Sequence, residues 1–98
     1  MAPSDKELKC LGRRLGEGLL GKGWRVSTAE SCTGGWIAKV LTDVPGSSLW
    51  FGWGFVTYAD EAKGQMLHVP NKVFDQYGAV SRETARFMAE GARGVSAA

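Results

Sequence analysis

The chain has 98 residues, 44% of them hydrophobic and 22% charged, which fits one soluble folded domain and argues against disorder. Twelve Lys and Arg stand against ten Asp and Glu, and the resulting charge of +2 is too small and too scattered to imply a nucleic-acid partner. The first residues hold no hydrophobic signal core, no run nears the ~18 apolar residues of a membrane span, and Cys10 and Cys32 do not form a disulfide framework, so a cytoplasmic protein with no membrane partner is expected.

Ser4 or Asp5 can cap a first helix in which Leu8, Leu11, Leu15 and Leu19 share one face and Gly21 and Gly23 end the pattern. Gly12, Gly16 and Gly18 either weaken that helix or permit close packing, and pattern alone leaves both open. The alternation of Trp24 to Ala29 predicts a strand. A turn follows, then a helix from near Thr33 with an apolar stripe of Trp36, Ile37, Val40 and Leu41, stopped by Asp43-Val44-Pro45-Gly46. Leu49 to Tyr58 reads as a second strand after a tight turn or short helix, with Gly52 and Gly54 marking a bulge or a close backbone approach. Three helices complete the chain: residues 60–67, a second from Pro70 to near Gly78, and a third capped by Ser81. Ala85, Met88, Ala89 and Ala92 give the third an apolar face, and Gly91 and Gly94 are expected to fray it. The order predicts a single α/β layered domain over 1–98, and two strands alone are marginal unless helices or a second chain cover them.

Thr28-Ala29-Glu30-Ser31-Cys32-Thr33-Gly34-Gly35 is the segment most suggestive of chemistry. It passes from strand to turn to helix, and a helix N-terminus with nearby glycines can hold a phosphate or an oxyanion; the same pattern also fits an ordinary capped turn. It is neither a P-loop nor a dinucleotide fingerprint. A serine nucleophile at Ser31 needs a base. The lone His68 has no Asp partner in sequence and is expected to cap a helix or lie on the surface. A lysine can serve when burial or positive neighbours favour its neutral form. Lys63, one turn into the helix after the second strand, is either that base or a solvated lysine paired with Asp60 or Glu61. Cys32 is a buried structural thiol or a reactive one, and four tryptophans serve packing or ring stacking. One His and two separated Cys offer no zinc-ligand spacing, so no metal is expected.

Five blocks resemble the CinA C-terminal domain family, in family order: Thr28 to Gly35, Leu41 to Ser48, Gly54 to Tyr58, Glu61-Ala62-Lys63, and Tyr77 to Ser81. The resemblance is specific from Trp24 to Gly91. It implies a shortened layered domain, helices on a small sheet; with two strands and fourteen glycines a lone monomer is marginal, so completion by homo-oligomerisation is expected. It also implies an amidohydrolase that converts nicotinamide mononucleotide to nicotinate mononucleotide and ammonia without a metal or organic cofactor. By that resemblance Ser31 is the nucleophile, Lys63 its base, and Tyr58 assists proton transfer or orients the lysine. The implied substrate-contacting set is Glu30, Cys32, Thr33, Gly34, Gly35 and Ser48, with backbone groups of Cys32, Thr33 and Gly34 as the anion cradle. Family domains continue with further strands and a second glycine-rich block, Thr-Gly-x-x-Gly-Pro, that nothing here matches. A non-catalytic nucleotide-binding or interaction module is therefore the competing expectation.

Overall fold

Two parallel strands, β1 (Val26–Glu30) and β2 (Phe51–Val56), form the only sheet in the described part of the computed structural model, residues 2–98. Parallel neighbours need a crossover. Helix α2 (Trp36–Thr42) and a 3₁₀ turn at Ser47–Leu49 supply it. Around this pair run α1 (Asp5–Lys22), α3 (Asp60–Leu67), α4 (Asn71–Tyr77) and α5 (Arg82–Ser96). The expected α/β layering and every expected element are present.

Side-chain alternation along the strands assigns the helices to faces. Ala29 and Phe55 point into a core with Leu67, Val69, Val73, Met88 and Ala92, contributed by α3, α4, α5 and the segment between α3 and α4. Their neighbours Thr28 and Gly54 meet on the other face, where a Cβ at Gly54 would lie 3.1 Å from Thr28 Oγ1 and 3.4 Å from Ala38 of α2. Both strand glycines therefore have reasons. Gly54 allows this approach, and Gly52 is the unpaired residue of a bulge, since Val26 pairs with Phe51 but Ser27 pairs with Trp53.

Ser4 caps α1 with a full capping box, its Oγ accepting from the Glu7 amide at 3.1 Å. Of the leucine stripe expected on this helix, Leu8 and Leu19 are half-buried and the middle is open. Leu11 and Leu15 are exposed, whereas Gly12 and Gly16 are buried. A Cβ at Gly16 would sit 2.6 Å from the Trp50 indole, and one at Gly12 3.1 Å from Val44. Trp50 is the one buried tryptophan; Trp24, Trp36 and Trp53 are exposed.

The third terminal helix also departs from expectation. It does not fray at Gly91 but continues to Ser96, and Gly91 is where it crosses α3: a Cβ there would fall 2.0 Å from the Leu67 carbonyl oxygen. Its buried face is Thr84, Met88 and Ala92, with Ala85 and Ala89 exposed. Ser81 caps it as expected, accepting from the Thr84 amide at 3.1 Å. The molecule is a slab, 39 × 32 × 16 Å. Its radius of gyration is 14.2 Å, against about 12.6 Å for a compact domain of this length. Its accessible surface is 6730 Å², about 1,300 Å² more than a monomer of this mass normally exposes.

Candidate active site

Parallel pairing brings the C-terminal ends of both strands to one edge, the edge at which open α/β sheets hold ligands. Glu30 pairs with Val56, and the Thr57 amide donates to the Glu30 carbonyl at 2.9 Å. Ser31 follows Glu30, and Tyr58 follows Thr57. The two expected chemical segments thus leave the sheet side by side.

The turn after β1 is built by Glu30. Its side chain is 2% exposed, and its carboxylate accepts from Thr33 Oγ1 at 2.7 Å, the Ile37 amide at 2.8 Å and the Ala38 amide at 3.0 Å. Burial alone would raise its pKa, but donation from the Ala38 and Ile37 amides, the Thr33 hydroxyl and the Gly35 amide outweighs it and holds the carboxyl below its ordinary 4.5. Gly34 and Gly35 take φ of 64° and 101°, conformations that suit glycine, and they delay the helix to Trp36 rather than Thr33. The expected open helix N-terminus is therefore filled by the protein's own carboxylate. Among the described residues, no backbone acceptor pairs with the amides of Cys32 or Thr33.

Lys63 is not a solvated lysine. Its side chain is 2% exposed, and Nζ donates to the Tyr58 carbonyl at 2.7 Å, with the exposed Asp60 carboxylate farther off at 3.8 Å. Glu61 makes no ion pair with it. Two hydrogen bonds connect the elements: the Thr57 amide donates to the Glu30 carbonyl, and Lys63 Nζ donates to the Tyr58 carbonyl. Tyr58 meets the lysine through its backbone carbonyl, and the residue is 75% exposed. Thr57, given no role by sequence, is completely buried and its hydroxyl has no partner. Its alternation with buried Phe55 was the available signal.

Ser31 is half-buried, and Cys32, Thr33 and Gly34 are exposed beside it. Ser48 is not in this group. It precedes β2, whose six residues span about 17 Å, so within one chain it lies at the far end of the sheet. His68 is exposed and caps α3 in the left-handed conformation, as expected. Cys10 and Cys32 are free and exposed. Among the described residues, no three His, Cys, Asp or Glu side chains group to hold a metal ion. No helix of the described part is long and apolar enough to cross a membrane.

The arrangement is a layered α/β edge with a hydroxyl-bearing glycine turn after one strand and a desolvated amine after its neighbour. The model of the CinA C-terminal domain matches residues 9–98, and the chain belongs to that family. It is 53% identical over 89 residues to the nicotinamide-nucleotide amidohydrolase PncC of Escherichia coli K12, an alignment covering 91% of this chain and 54% of that protein. The corresponding Pseudomonas putida protein is 51% identical, with 90% and 55% covered. A crystal structure of a CinA superfamily protein from Escherichia coli superposes with a TM-score of 0.92 at 35% identity, over 100% of this chain and 58% of that one. The chain spans about half the length of the curated PncC relatives it matches.

Proposed function

We propose that the chain carries the nucleophile and base of a nicotinamide-nucleotide amidohydrolase. Ser31 Oγ attacks the carboxamide carbon of nicotinamide mononucleotide, and its proton passes to a neutral Lys63 Nζ. The amides of Cys32 and Thr33 stabilise the oxyanion. Collapse breaks the C–N bond, and the leaving amino group takes the proton from Lys63 and departs as ammonia. Water, deprotonated by Lys63, then releases nicotinate mononucleotide and restores Ser31. Water is the only co-reactant, and no metal or organic cofactor takes part. Gly34 and Gly35 shape the cradle, and Tyr58 holds the base by its carbonyl. Ser48 would reach such a site only from a second copy.

One observation carries this reading: an amine 2% exposed hangs from the backbone of the strand edge that also carries Ser31. Burying an amine with one close acceptor is costly, and the exposed Asp60 carboxylate at 3.8 Å is its one further partner. The relatives named nicotinamide-nucleotide amidohydrolase supply the substrate class. The test is ammonia release from nicotinamide mononucleotide by the purified chain. Ser31→Ala and Lys63→Met should each abolish it, while Lys63→Met keeps or raises the thermal midpoint, since an apolar side chain of similar length replaces a desolvated charge. Turnover that survives either change refutes the assignment.

The surplus surface favours a second reading, in which the chain is a nucleotide-binding or protein-interaction module without turnover. Trp24, Leu49, Trp53 and Val80 are all more than half exposed, and the excess of about 1,300 Å² is larger than one partner's share of a standard interface. Calorimetry showing nucleotide affinity with no ammonia release would select it. Under either reading the chain is a cytoplasmic homo-oligomer. Sedimentation at micromolar concentration should show a species heavier than 10.5 kDa, and a sharp monomer would contradict this.

A further inference from the structure

Glu30 was expected among the groups that touch substrate. Its geometry turns both carboxylate oxygens to the protein instead. One carboxylate oxygen takes both the Thr33 hydroxyl and the Ile37 amide, the other takes the Ala38 amide, and the side chain is 2% exposed. The donors come from both ends of the loop: Thr33 lies in the turn, and Ile37 and Ala38 lie in the first turn of α2. The cap residue of α2, Gly35, has no side chain with which to accept these amides. A carboxylate seven residues upstream of Ile37 therefore replaces the ordinary local cap.

We infer that Glu30 is a positioning residue: an internal anion that fills the start of α2, closes the turn on itself and thereby holds Ser31 and the Cys32 and Thr33 amides in place. Two consequences follow. The start of α2 is spent on Glu30, so a bound nucleotide's phosphate must find its donors elsewhere. Ser31 is clamped from both sides, by the Glu30 backbone bonded to Thr57 and by the Glu30 side chain bonded across the turn. The functional part of this inference rests on the amidohydrolase reading; the structural part does not.

Glu30→Ala and Glu30→Gln test it. In the Ala variant the amides of Ile37 and Ala38 lose their acceptor, and a small carboxylate can take its place. Formate should raise the thermal midpoint of Glu30→Ala well beyond any effect on the wild type. Glu30→Gln, which guards against a variant that fails to fold, keeps one acceptor oxygen but sets its NH₂ against the Ala38 amide. With nicotinamide mononucleotide, both variants should lose kcat, by about 100-fold for Ala, the scale of a misplaced reacting group, with KM within about twofold of wild type. Formate should restore part of the kcat of Glu30→Ala.

A raised KM with unchanged kcat would mean that Glu30 contacts substrate and would overturn the inference, as would wild-type kinetics in both variants. A wild type without turnover would end the amidohydrolase reading alone. The anchor is then judged by the thermal response, where no formate effect in a folded Glu30→Ala protein rejects it.

Discussion

The two faces of the β1–β2 pair are covered in different ways. On one face α3 and α5 meet backbone to backbone, with Gly91 against the Leu67 carbonyl, above a core of Phe55, Leu67, Val69, Val73, Met88 and Ala92. On the other face, α1 meets a side chain, with Gly16 against the Trp50 ring, while its leucines at 11 and 15 stay exposed. The first is a packed core that happens to need a glycine. The second is a notch receiving one large anchor, on a helix whose apolar stripe is open at Leu11 and Leu15 and only half-covered at Leu8 and Leu19. Close approach by glycine is common to both, but what lies opposite differs, and that sets how far each can yield.

Gly91→Ala should give the largest effect. The new methyl would fall 2.0 Å from a carbonyl oxygen and 2.9 Å from its carbon, and backbone in a helix end cannot swing aside. Separating α3 from α5 would also open the core. A loss of about 3 kcal/mol or more is expected, at the upper end for overpacking, and the urea midpoint reads it. A near-neutral result would show that this face is as adaptable as the other.

Gly16→Ala should cost less. The clash is again severe, at 2.6 Å, but the opposing atoms belong to a side chain, which can turn about its own bonds where a helix backbone cannot. Alanine's better helix propensity also offsets about 1 kcal/mol. A net loss of about 1–2 kcal/mol is expected, with a red shift in Trp50 emission as the ring meets water. A cost equal to that of Gly91→Ala would erase the distinction between the two faces.

Acid sharpens the comparison at the strand ends. Glu30 keeps its proton off to lower pH when folded than its ordinary 4.5. Between those two values the unfolded chain binds more protons, so stability rises with pH through that window, is full above it and is lost below it. Glu30→Gln has no such dependence. It should be less stable than wild type at neutral pH, by on the order of 1 kcal/mol, and the gap should close as pH falls through the folded value. Urea titrations across that range check the sign; a gap that widens in acid contradicts the anchoring role.

Much of the fold was legible because its signals are local. Ser4 with Glu7, and Ser81 with Thr84, are caps written within four residues. Gly52 announced a bulge because strands rarely tolerate glycine without cause. The misreadings concern distance. The stripe of Leu8, Leu11, Leu15 and Leu19 has helical spacing, but spacing cannot show whether anything faces it. The role of Glu30 was hidden because its partners lie up to eight residues away, beyond any local capping rule. The site was half legible: residue type and position raised Ser31 and Lys63 as one of two readings and the resemblance favoured it, but only the fold shows that the Tyr58 carbonyl, not its ring, accepts from the lysine.

Gly18→Ala should move stability least, and in the opposite direction. No heavy atom lies within 4 Å of the position a Cβ would take, and the residue is exposed in the interior of α1. Neither packing nor backbone conformation requires glycine there, so the change should act through the unfolded chain and helix propensity alone. A gain of about 0.5–1 kcal/mol is expected, read as a higher urea midpoint with an unchanged slope. A loss instead would mean that something covers this side of α1 in solution, and with a helix whose Leu11 and Leu15 are already exposed, the covering body would be a second copy of the chain. The smallest stability effect thus carries the most direct information on assembly: repeated across protein concentrations, a gain that turns into a loss as concentration rises would map the contact to this helix.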